Sequence, residues 1–295
     1  MEGPSHVTAR RDEPGRQAAA GHAESMLPID MLSRVDLLTS LVGALICVTF
    51  IQNEAFKERA ETFPWEQAVG MIFTTSVCPV AMMWNFRFYE KWRNVLVILL
   101  RLSFIVGTLG HYDDVPHYAF DSWGTFIGQF LIKARCMVIC WGGFGWLLPF
   151  RYHIIMQGLH ALLAFHLIPE TCALPSAARP GTFLSLNEDR WRSLASVLDW
   201  PLVFFGGASF EAIQARTSAW ATCVGLNMWC IVVIGWALPS LLISFMQRRL
   251  PSRTRAWLRR DGVFFLVLTS AMYWILLRVL MATVLTSPWA RDRWA

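Results

Sequence analysis

The sequence predicts an all-α integral membrane protein: a bundle of seven transmembrane helices, with six as the alternative count, and one or two amphipathic helices at the interface. Three observations predict it. Of 295 residues, 55% are apolar and 16% are charged, against roughly a quarter charged in an ordinary soluble domain. The apolar residues gather into runs close to the ~20 residues that cross a ~30 Å hydrocarbon core as a helix. Arg and Lys divide unevenly between the two sets of connecting segments, as the positive-inside rule requires. The same composition excludes a disordered chain, which needs low hydrophobicity. No polar stretch is long enough to fold as a nucleic-acid-binding module.

Residues 1–29 are polar, without the apolar core of a signal peptide, and read as a disordered tail. The bundle occupies 30–290. The first span is about 32–52, with Arg34 and Asp36 at its mouth. The second is about 65–86, bracketed by Trp65 and Trp84 as an aromatic belt predicts. The third is about 95–110 and contains Arg101. Residues 120–168 form a long apolar stretch interrupted by Lys133, Arg135, Pro149 and Arg151. It divides into spans 123–148 and 151–168 with a turn at Pro149, or into an interfacial helix over 120–135 and one span from Met137 kinked at Pro149. Gly124 and Gly128 give the fourth span a small-xxx-small face for close approach.

The connection 169–218 begins irregularly, with Pro169, Pro175, Pro180 and Gly181. An amphipathic helix follows over about 185–197. Ser185 and Glu188 stand at capping-box spacing, and Leu186, Trp191, Leu194 and Leu198 line its apolar stripe. The apolar stretch from Trp200 to Phe210 is too short to span, so the connection is expected to lie on the membrane surface. The last spans are about 219–246, with Pro239 near its end, and 263–286, with Arg278 inside. Residues 291–295 are a short tail.

Counting Arg and Lys chooses between six and seven spans. Seven spans with the N-terminus inside put fourteen in inner segments and eight in outer ones. Six spans give thirteen against ten. Seven spans, N-terminus inside, is the expectation. It leaves Lys133 and Arg135 at membrane depth, where each costs about 2.5–3.5 kcal/mol on insertion scales. Residues 140–157 and 230–247 share Cys, Gly-Trp, Leu-Pro and Met-Gln at matching positions; in so apolar a chain this is read as coincidence.

Chemistry can sit in few places. Arg101, Lys133, Arg135 and Arg278 fall within spans that offer few acids, and an excess of buried cations attracts an anionic solute. Snorkelling to the interface and span boundaries misplaced by a few residues compete with that reading and together outweigh it. His111, Asp113, Asp114 and His117 cluster in the connection after the third span. They are weak candidates for a divalent metal or acid–base chemistry, with a solvated turn favoured. His153 and His160 share a helix face, but no facing span carries a second axial ligand for haem. No cofactor is expected. Arg248, Arg249, Arg253, Arg255, Arg259 and Arg260 lie beside a span and suit anionic headgroups of the inner leaflet, so the expected partners are the lipid bilayer and those lipids. All seven cysteines read as small buried apolar residues, without a disulfide framework. These features favour a transporter or channel-like bundle for a small solute, anionic solutes included. The alternatives are a structural or lipid-interacting membrane protein and a membrane enzyme using the His111–His117 cluster.

Overall fold

The structure is a computed structural model that describes residues 28–55, 65–109, 122–172, 187–200, 217–246 and 252–285. These are 92% helical and contain no strand. Three helices are long and apolar enough to cross a membrane: Ile29–Val48, Ala219–Met246 and Arg260–Val284. The tail expected over 1–29 falls almost wholly outside the described residues, as do 111–117 and 201–216.

Helix α1 (Ile29–Ala55), α2 (Trp65–Trp84) and α3 (Phe86–Leu109) pack in sequence. Only Asn85 separates α2 from α3. Its side-chain Oδ1 accepts from the Phe88 N–H at 3.1 Å and so starts the new helix immediately. Arg87, Lys91 and Arg93 therefore stand on the first turns of α3 and not in a loop.

The fourth span departs from a continuous 123–148 helix. It is two short helices, α4 (Trp123–Lys133) and α5 (Cys136–Gly145). Arg135 between them has φ 60°, a left-handed conformation that costs a non-glycine residue about 1–2 kcal/mol. After Gly145 the chain runs non-helically through Trp146–Pro149 and restarts as α6 (Phe150–His166), followed by the short α7 (Ile168–Thr171). The alternative of one helix running through Pro149 is thus also overturned, because Pro149 lies between helices. Pro239, its counterpart in the apparent repeat, lies inside one, so the two segments do not share a structure. Gly124 and Gly128 are exposed, and a Cβ on Gly128 would meet nothing within 4 Å. The close approach expected there occurs instead at Gly145, where an added Cβ would strike the Thr39 side chain of α1.

Helix α8, residues 188–200, is docked and does not merely lie on a surface. Trp191, Ala195 and Asp199, four residues apart, form its buried stripe. The Trp191 ring meets Phe126 and Phe130 of α4 edge-on at 5.4 and 4.8 Å. Next, α9 (Ala219–Trp229), capped by Ser218 Oγ on the Ala221 N–H, passes through a π-helical segment (Cys230–Ala237) into α10 (Leu238–Met246). The last helix, α11 (Ser252–Leu280), ends in a second π-helical turn. Its outward face carries Phe264, Val267, Leu268, Met272 and Leu276, all exposed, and α1 presents Leu38, Leu41 and Leu45 in the same way.

The cysteine expectation fails at one pair. Cys172, after α7, and Cys223, in α9, form a disulfide. Fifty-one positions separate them, and pairing depends on where the two helix ends meet, which spacing does not reveal.

Candidate functional site

Helix α5 stops among the packed helices, so its last carbonyls need partners from elsewhere. Side chains of other helices supply them. Arg101 Nη2 on α3 donates to Gly143 O at 3.0 Å. Thr39 Oγ1 on α1 donates to Gly145 O at 2.7 Å. Just beyond, Arg93 Nη1 donates to Leu147 O at 2.9 Å. Cations at a helix C-terminus also meet its partial negative charge, worth roughly half an elementary charge.

The two arginines differ in their remaining partners. Arg93 Nη2 donates to Asp36 Oδ1 at 2.7 Å, and its Nε donates to the Tyr89 hydroxyl, which itself donates to Asp36 Oδ2 at 2.5 Å. Asp36 is thereby neutralised by Arg93. Arg101 is fully buried, and its one further hydrogen bond among the described residues runs from Nη2 to His153 Nδ1 at 3.3 Å. Its Nε and Nη1 have no partner there. Asp36, Arg93 and Arg101 together carry one net positive charge, and that charge rests on Arg101.

Helix α6 supplies the rest of the site. His153, Gln157 and His160 are buried on one side of it. A guanidinium only donates, so His153 Nδ1 is the acceptor and its proton sits on Nε2. Pro239 has no N–H to continue the π-helical register, in which the Leu238 N–H reaches Val233 O, five residues back; the carbonyl it leaves there, Ile234 O, accepts from Cys140 Sγ at 3.0 Å. Gln157 Nε2 donates to Gly235 O and to Ile139 O, both at 2.7 Å, and so ties α5, α6 and the π-helical segment together. An added Cβ on Gly143 would approach Gln157 Nε2 to 2.8 Å and Pro239 Cβ to 3.2 Å, so a larger residue there requires the Gln157 amide to move. Replacing Gln157 with Leu removes both of these buried hydrogen bonds. We expect a loss of about 1–3 kcal/mol, read as a lower melting temperature with the helical signal intact; an unchanged melting temperature would contradict this role.

The other expected site residues fall elsewhere. Arg278 pairs with Asp199 of α8 through Nε at 2.8 Å and through Nη2, and Trp274 Nε1 donates to the same carboxylate at 2.8 Å. Arg135 is buried at the break between α4 and α5. The side chain of Lys133 lies outside the described residues, as do His111, Asp113, Asp114, His117, Arg248 and Arg249 entirely. Arg253, Arg255 and Arg259 stand on the first turns of α11, without described side chains. Arg260 is exposed and pairs with Asp261 at 3.0 Å. Among the described residues, no group of three or more His, Cys, Asp or Glu could hold a metal. A recess of about 480 Å³ between α1 and α2, lined by Leu37, Ser40, Leu41, Cys47, Thr75 and Pro79, is apolar and holds no charge.

Snorkelling fails for Arg101, because its side chain is turned inward onto Gly143 and His153. Sequence reasoning did not find Asp199 as the partner of Arg278, although its four-residue spacing from Trp191 and Ala195 was the available signal. It also placed Arg93 in a connection. Comparison with known protein families, with characterised proteins and with solved structures finds no match.

Proposed function

We propose that this is a multi-pass membrane protein that carries a small anionic solute, with Arg101 as the binding group. The carrying observation is the fully buried Arg101, with Nε and Nη1 unpartnered and no carboxylate among the described residues left to balance it. Burying an uncompensated charge costs several kcal/mol, and an anion offsets that cost through charge-assisted hydrogen bonds. Short helices that end between other helices, as α4 and α5 do, are a recurrent setting for transporter sites. Gly142 and Gly143 lie against His160 and Gln157, so an anion reaches Arg101 only when the helices part. That favours a carrier over an open pore.

The proposed orientation puts the N-terminus inside, with the Arg248–Arg260 run on anionic inner-leaflet lipids. Its support is the Cys172–Cys223 disulfide, since such bonds persist in oxidising compartments. By helix geometry, α6 separates Cys172 from the Pro149 turn by about 25 Å, and Cys223 is near the start of 219–246, away from Arg248. The exposed apolar faces of α1 and α11 support the membrane setting.

The test uses purified protein in nanodiscs, titrated calorimetrically with acetate, pyruvate, phosphate and sulfate. At least one should bind. Arg101→Gln should weaken it by tenfold or more, since a hydrogen bond to a charged group is worth about 1.5–3 kcal/mol, and Arg101→Lys should retain part of the affinity. Equal binding by wild type and Arg101→Gln would overturn the proposal.

A further inference from the structure

Resting on that reading, we infer that anion binding at Arg101 is coupled to uptake of one proton by His153. The inference follows from how a guanidinium holds an anion. A two-point contact uses either Nε with Nη2 or Nη1 with Nη2, so both edges that can grip a carboxylate or phosphate include Nη2. In this protein Nη2 is already engaged, at 3.0 Å by Gly143 O and at 3.3 Å by His153 Nδ1. The unpartnered nitrogens, Nε and Nη1, are one from each edge. A bidentate anion must therefore take one Nη2 hydrogen, and the longer contact, to His153, is the one that gives way.

Release changes what His153 can do. While it accepts from Arg101, Nδ1 has no room for a proton, and a second positive charge at 3.3 Å would be repelled. Once an anion lies on the guanidinium, Nδ1 is free and a negative charge stands beside it. It takes a proton from the aqueous phase and donates it to the bound anion in a hydrogen bond. No bond within the anion changes. One anion and one proton enter together, and loss of the proton restores the His153–Arg101 bond and expels the anion.

The surroundings favour this pairing. The charged or titratable groups about His153 are Arg101 of α3 and His160 of its own helix. Arg93 and Asp36 act on Arg101 from farther along α3 and α1, and Asp36 is held by Arg93 and Tyr89. The elements packed on α6 from the other side, α5, the π-helical segment and α10, carry the thiols Cys136, Cys140 and Cys230. Among the described residues, then, no carboxylate in contact with His153 offers an alternative proton acceptor. Its other ring nitrogen, Nε2, already carries a proton and has no partner there.

The experiment repeats the nanodisc titrations at pH 7 in buffers of different ionisation enthalpy, which converts heat into protons bound per anion. The wild type should take up close to one proton per anion. His153→Gln, which keeps a hydrogen-bonding group at this position, should still bind, with proton uptake near zero and with affinity no longer rising as pH falls. A melting curve confirms that the variant is folded; if it is not, the slope of log affinity against pH in the wild type, expected near one, decides the matter instead. Binding without proton uptake overturns the coupling and leaves the anion site standing. Uptake that persists in folded His153→Gln also overturns it. Binding of none of the four anions overturns the site and the coupling together.

Discussion

Replacing Asp36 with Ala is expected to destabilise the protein by about 3–5 kcal/mol, the usual cost of removing one partner of a buried ion pair. Asp36 and Arg93 are 0% and 3% exposed. The carboxylate holds Arg93 directly and through Tyr89, and Arg93 in turn caps Leu147 O beyond the end of α5. Without Asp36, two guanidinium groups, Arg93 and Arg101, share the interior with no described carboxylate to hold either. The damage should therefore spread from α1 to the junction of α5 and α6. Removing both charges should hurt less than removing one: Asp36→Leu with Arg93→Met should recover a large part of the loss, because an apolar pair leaves no uncompensated charge. Thermal melting in detergent, followed by helical signal, reads both variants. A single variant that melts with the wild type, or a double variant worse than the single, would contradict the buried pair.

Breaking the Cys172–Cys223 bond is the other large effect. Closing a loop of 51 residues restricts the unfolded chain by about 4 kcal/mol in the chain-entropy account. If the unfolded chain stays in the bilayer of the proposed setting, which already confines it, the measured loss should fall below that figure. Cys172→Ser and Cys223→Ser should each lower the melting temperature, and a reductant should do the same to wild type but not to either variant. The local setting adds a second signature. Asn227 Nδ2 lies 3.3 Å from Cys172 Sγ and donates to Cys223 O at 2.9 Å, so the bond is seated between packed helices. Maleimide labelling of both cysteines without reductant would show that the bond is absent. Because the pair lies at the opposite end of the helices from the Arg248–Arg260 run in the proposed orientation, labelling after reduction with an impermeant reagent also tests that orientation.

The legible part of this protein was helical and apolar. The long apolar runs at 32–52, 219–246 and 263–286 correspond to the helices long enough to cross a membrane, because hydropathy summed along a helix is a local property of consecutive residues. The break within 123–148 was only half legible. Lys133 and Arg135 interrupted the pattern, but a left-handed Arg135 is a conformation that backbone packing imposes and that no propensity signals. Arg101 stood out in the sequence as a charge inside a span. That it is buried, faces inward and bonds His153 depends on α3 meeting α6, 52 positions away.

What the sequence determined by itself was therefore the helical class, the apolar faces and the short roster of charges within them. Tertiary structure decided which charges are paired and which are left. Arg278 meets Asp199 across 79 positions, Arg93 meets Asp36 across 57, and Cys172 meets Cys223 across 51. Periodicity reports which face of a helix is apolar, but not which other helix that face will touch. A charge becomes structural or functional only through that contact. Once the pairs are drawn, Arg101 remains with one carbonyl and one imidazole, beside the buried end of the ten-residue helix α5.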